Sequence, residues 1–186
     1  MSFRSNDREI AAASAPSIAL AVGVVALAAI LQATLLHVAV IRNATPSLVL
    51  IVVVLYALRV GAERGLLIGA LGGLFEDALT GGTGGSWTLA TAMVAIVAGA
   101  MSRFFFSDAP QALIIAVALG SLLRSAFFWS IMSLGGYPSG LAATHLHTAI
   151  LQALYTTLVA IPIILFLARS KERPVQRIKL RDFRST

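Results

Sequence analysis

The chain has no cysteine, only three histidines and few charges, and each shortage removes a class of function. Without cysteine there is no disulfide, no thiolate metal site and no cysteine nucleophile. Charged residues make up 12% of the 186 positions, about half the share of an ordinary soluble domain. Apolar residues make up 58% and mean hydropathy is +0.89, so the solvent for most of the chain is lipid. The net charge of +6 does not point to nucleic acid. Basic residues sit at the ends of apolar runs and in a C-terminal tail, where topology accounts for them.

What the chain does have is a series of long apolar runs. We read six membrane helices, over Ser17–Val40, Ser47–Leu58, Gly65–Leu79, Ser86–Met101, Gln111–Leu134 and Ala143–Ala168. Residues 1–16 are then a cytoplasmic N-terminal segment, 17–168 the six-helix transmembrane domain and 169–186 a basic cytoplasmic tail. The first run far exceeds the apolar centre of a cleavable signal, and no small-x-small site follows it, so it is read as a retained helix. The second and third runs fall short of the about 20 residues a span needs. They either cross where the bilayer thins, with Arg59 and Arg64 snorkelling, or form a re-entrant hairpin. Both readings return the chain to the side it left. With the N-terminus inside, the inner segments hold Arg4, Arg8, Arg59, Arg64, Arg103 and seven basic residues after Ala168, against Arg42 outside. That asymmetry puts both termini in the cytoplasm.

Three charges inside the runs are not explained by topology: Glu76, Asp77 and Arg124. Each costs about 2.5–3.5 kcal/mol at a helix centre, so each is expected to face the interior and find a partner. Asp77 and Arg124 are the expected pair. Gly65 to Asp77 rises about 18 Å and Gln111 to Arg124 about 20 Å, which places them at one height. Gly65, Gly69, Gly73 and Asp77 recur every four residues, a ridge bare enough for another helix to approach. Ala116, Gly120 and Arg124 form a similar ridge on the fifth run, and the two ridges are expected to meet. Glu76 points about 100° away, toward a polar cavity, the outer interface or a partner. The pair either fixes helix register alone or lines a polar hollow that grips a partner or ligand.

The remaining features are read more simply. "TGGTGG" lacks the Gly-Lys-Ser/Thr ending of a phosphate loop, and Gly81 and Gly84 are assigned to a tight outer turn that needs positive φ. His37, His145 and His147 are interfacial, with no metal expected. Phe104–Phe106 anchor the inner boundary, and Trp87 and Tyr137 suit the outer aromatic belt. Phe127–Trp129 shield the ion pair from lipid or face a partner helix. The tail is drawn to anionic membrane lipids. No catalytic triad can be assembled, and neither enzyme activity nor a cofactor is expected.

The run "TPSLVLIVVVLYALRVGAERGLLIGALGGLFEDALTGGTGGSWTLATAMVAIVAGAMSR" resembles the rod-shape-determining MreD proteins of bacteria. Its Pro46, Tyr56, Gly69, Gly73, Leu74, Asp77, Gly81 and Gly84 match that family's pattern: an apolar segment opening with proline and ending near tyrosine, then a glycine-studded helix closing in Gly-Leu-x-x-Asp before a glycine loop. The loop itself departs from the Pro-Leu-Gly type common in the family. The resemblance implies an all-α integral membrane protein with six transmembrane helices, similar to the substrate-binding subunits of energy-coupling-factor transporters. It implies a non-enzymatic scaffold of the cell-elongation complex in the bacterial cytoplasmic membrane. Such a scaffold binds the single-pass protein MreC and links MreB filaments to the peptidoglycan glycosyltransferase and transpeptidase. The alternative is a substrate-binding subunit of a vitamin or solute transporter, with Glu76, Asp77, Arg124, His37, His145 and Gln152 as candidate pocket residues.

Overall fold

The structure, a computed structural model, describes residues 17–34, 44–81, 84–102, 109–136 and 138–172. The N-terminal segment, His37, Arg42, Arg103, Phe104–Phe106, Tyr137 and the tail after Glu172 lie outside the described residues. Within them are six α-helices: α1 (Ile18–Thr34), α2 (Leu48–Val60), α3 (Ala62–Thr80), α4 (Ser86–Met101), α5 (Pro110–Leu134) and α6 (Ala142–Glu172). A 3-10 turn, Ser139–Leu141, precedes α6.

Local chemistry sets the boundaries. Ser47 caps α2, its hydroxyl accepting the Leu50 N–H, which satisfies one of the amides a helix start leaves free. Gly61 alone separates α2 from α3, with φ 90° that a side chain would strain. The gap left between the second and third expected runs, residues 59–64, is therefore narrower. Ala62, Glu63 and Arg64 favour helix and already belong to α3. α3 ends at Gly81 in the left-handed region, its N–H returning to the Asp77 carbonyl. Pro110 opens α5, where its missing N–H is harmless. α6 runs on to Glu172, past the expected end at Ala168.

α2 is apolar on every side, and Val49, Leu50, Ile51, Val53, Val54, Leu55, Tyr56 and Ala57 are all buried. A helix of that kind has to be wrapped. α1, α3, α4 and α5 pack around it, with a slighter contact from α6. The surrounding helices pack in the order α1, α3, α4, α5, α6, with α3 against α4 the most extensive contact. Outward faces are apolar, as at Leu20, Leu27 and Ile30 of α1 and Leu146, Leu154, Leu158 and Phe166 of α6. The buried interior, in contrast, holds Ser47, Glu76, Arg124 and Thr156. Apolar outside with paired charges inside is the arrangement lipid favours. Among the described residues, α5 and α6 are long and apolar enough to cross a membrane, while α1, α2 and α4 are shorter apolar helices.

Candidate functional site

The site is built on two glycine ridges of α3. Gly69 and Gly73 face α4, while Gly65 lies where α2 and α4 meet, and a Cβ on it would lie 2.8 Å from the Ala57 Cβ. A Cβ on Gly69 would lie 2.6 Å from the Ala95 Cβ, and one on Gly73 would lie 2.5 Å from the Thr88 Cα. From the other side, a Cβ on Gly99 of α4 would lie 2.5 Å from the Ala62 Cα. The ridge therefore receives α4, and not α5 as its spacing with Gly120 suggested. Gly120 lies over Val54 and Val94 instead. The reason is connectivity: α3 and α4 are joined by a short loop and pack as neighbours in an antiparallel hairpin, so the chain's next helix occupies the bare face.

Asp77 continues this ridge and meets the start of α4. Its Oδ1 accepts the Trp87 N–H at 3.3 Å, and its Oδ2 accepts the Thr88 N–H at 2.9 Å and the Thr88 hydroxyl at 2.6 Å. The α4 cap position is Gly85, which offers no side chain. Asp77 thus caps α4 from a different helix and sets a carboxylate at its positive end. The expected Asp77–Arg124 pair is corrected accordingly: the Arg124 salt bridge is to Glu76, Nη2 to Oε1 at 3.1 Å.

Glu76 belongs to the second ridge, with Ile68 and Gly72. A Cβ on Gly72 would meet Val49 at 2.9 Å and Val25 at 3.2 Å, so this face looks toward α1 and α2. Glu76 and Arg124 are 4% and 3% exposed. Besides Arg124, Glu76 Oε1 accepts Gln32 Nε2 at 2.9 Å and the Ser47 hydroxyl at 3.2 Å. Ser47 in turn accepts Arg124 Nη1 at 2.7 Å and the Leu50 N–H at 3.2 Å, which uses the full capacity of a hydroxyl. Gln32 Oε1 accepts the Val49 N–H at 3.3 Å, and the Ser47 N–H donates to Thr156 Oγ1 at 3.1 Å. The Trp87 ring lies over the Arg124 guanidinium, 4.4 Å from its centroid, a favourable contact for a desolvated cation. Each helix thus brings one side chain to a single centre: Gln32 from α1, Ser47 capping α2, Glu76 from α3, Trp87 from α4, Arg124 from α5 and Thr156 from α6.

The centre also resolves a local problem. α2 begins inside the protein, and its first amides need acceptors. Gln32 and Ser47 supply them, and the Glu76 carboxylate lies beside the helix's positive end. Heights agree as well. Ala62 to Glu76 and Pro110 to Arg124 each rise about 21 Å, and α2 itself is about 20 Å long. Depth was a sound guide to Arg124 but does not distinguish two adjacent acids.

Aromatic rings pack beside this centre. Trp87 stacks on Phe128 at 4.0 Å and Trp129 on His145 at 4.8 Å, with Phe128 and His145 6.0 Å apart. His145 Nε2 lies 3.2 Å from the Ser125 carbonyl, tying α6 to α5. Phe127 packs on the core. His147 is exposed and Gln152 half-buried, both on α6. Gly81 and Gly84 adopt φ 58° and 55° in the turn between α3 and α4. Among the described residues no group of three His, Cys, Asp or Glu is placed to hold a metal ion.

Gln32, Ser47 and Thr156 were not singled out from the sequence. Signals existed for two of them: Ser47 follows Pro46 at a helix start, and Gln32 is an amide within an apolar run. Gly72, four residues before Glu76, was the matching signal for the second ridge.

The profile of a protein family described as rod shape-determining protein MreD matches residues 17–170, from the residue before α1 almost to the end of α6. Comparison with curated proteins and with solved structures gives no match.

Proposed function

The chain belongs to the rod shape-determining MreD family, membrane proteins with a role in cell shape, and from that premise we propose that it is a non-catalytic scaffold of the bacterial cell-elongation complex. It sits in the cytoplasmic membrane with six spans and both termini inside, as the distribution of Lys and Arg favours. It binds an MreC-like single-pass protein, helps position the peptidoglycan glycosyltransferase and transpeptidase, and couples indirectly to MreB-like filaments.

The observation that carries this reading is the convergence of six helices on one buried centre. A solute-binding subunit needs polar groups left free to point into a pocket. Here Glu76 Oε1, Arg124, Ser47 and Gln32 bond to one another and to the start of α2, and of the Glu76 carboxylate only Oε2, itself buried, has no hydrogen-bond partner among the described residues. Their work is to hold the helices in register, which keeps the outward faces of the bundle in fixed positions for partners. The test is purification of the full chain from native membranes in mild detergent, followed by mass spectrometry. Co-purification of a single-pass membrane protein in stoichiometric amount is expected. A bound vitamin-like solute with no such protein would overturn the scaffold.

A further inference from the structure

Two acids and one base stand at one depth, so something other than height decides which acid the base takes. Both carboxylates carry the same charge. Completeness of bonding does not favour Glu76 either: its three donors all reach Oε1, and Oε2 is buried with no partner among the described residues. Asp77, in contrast, has both oxygens bonded at the start of α4. One residue touches both sides of this choice. The Trp87 N–H goes to Asp77 Oδ1 at 3.3 Å, while its ring centroid lies 4.4 Å from Arg124 Cζ.

The two contacts use different parts of Trp87. The amide belongs to the backbone, so it holds Asp77 whatever side chain stands at position 87. The ring holds the cation, and a desolvated guanidinium gains most from such a contact. Guanidinium N–H groups form a flat, rigid fork. A ring over one side of that fork leaves its other approaches to Ser47 Oγ and Glu76 Oε1. The ring is itself seated: it stacks on Phe128 at 4.0 Å and 22°. Phe128 follows Arg124 by four residues, on the same face of α5. We propose that Trp87 is the positioning residue that selects between the acids: its amide keeps Asp77 at the start of α4, and its ring keeps the Arg124 guanidinium on Glu76. The inference concerns assembly of the centre and does not depend on the scaffold role.

The test repeats double-mutant cycles of Arg124 with each acid in the full chain in detergent micelles, with Trp87 intact, Trp87→Phe or Trp87→Leu. Couplings are read as fold-changes in the unfolding constant, and all three backgrounds keep the amide. Trp87→Leu should lower the Glu76–Arg124 coupling about tenfold and raise the Asp77–Arg124 coupling about tenfold. Trp87→Phe keeps a ring face, and both couplings should stay within about threefold of those with Trp87. Fluorinated tryptophans at position 87 keep the shape while drawing electron density from the ring face, and they serve even where Trp87→Leu does not fold. With them the Glu76–Arg124 coupling should fall stepwise as fluorines are added. An Asp77–Arg124 coupling unchanged in folded Trp87→Leu would overturn the proposal. So would a Trp87→Phe as disruptive as Trp87→Leu, or a Glu76–Arg124 coupling indifferent to fluorination.

Discussion

Toward the start of α3, that helix and α4 are joined through missing side chains: Gly69 leaves room for Ala95, and Gly99 leaves room for Ala62. Toward its end the same α3 works through side chains that are present. Asp77 caps α4, and Glu76 gathers Arg124, Gln32 and Ser47. In lipid there is no hydrophobic drive between helices, so close packing and hydrogen bonds must hold them. The two regions divide that task. A bare seam permits contact with any helix that can come close, so it gives proximity without choice of partner. The polar centre is directional and recruits particular residues from helices distant in sequence.

That contrast gives a graded series of substitutions, read as unfolding free energies in detergent micelles. Arg124→Leu should have the largest effect, about 3–5 kcal/mol, because Glu76 is then left charged, buried and without its counterion. Adding Glu76→Leu should recover most of that loss. At the seam, Gly99→Ala should cost about 1–3 kcal/mol, since its Cβ would collide with backbone that cannot step aside. Gly120→Ala is the control. Its Cβ would lie 3.1 Å from a Val54 methyl, and the gain in helix propensity of up to about 1 kcal/mol leaves the change near neutral. Asp77→Ala should lie at the low end, about 1 kcal/mol for a lost cap, and should loosen the start of α4 in hydrogen exchange. A seam variant as costly as Arg124→Leu would erase the distinction between the regions.

Six helices were legible in the sequence because apolar runs and glycine punctuation mark them directly. The glycine ridge of α3 was legible too, as a face for close approach. Which helix would fill it was not, because four-residue spacing describes the shape of one helix and carries no information about its neighbour. The same gap produced the wrong acid. Asp77 lies on the more obvious ridge, and Glu76 at the same depth lies on a second ridge marked by Gly72 alone. The start of α2 was legible from Pro46 and Ser47, but its need for buried acceptors becomes visible only once α1, α3 and α5 surround it. Thr156 carries no signal in sequence, since a hydroxyl in an apolar helix ordinarily bonds its own backbone.

The most direct measurement is a pair of double-mutant cycles between Arg124 and each neighbouring acid, with the same unfolding readout. The Glu76–Arg124 cycle should give a coupling of about 3 kcal/mol or more, while Asp77 and Arg124, which both contact Trp87, should show a smaller coupling of about 1 kcal/mol or less. Strong coupling to Asp77 together with additivity at Glu76 would contradict the account.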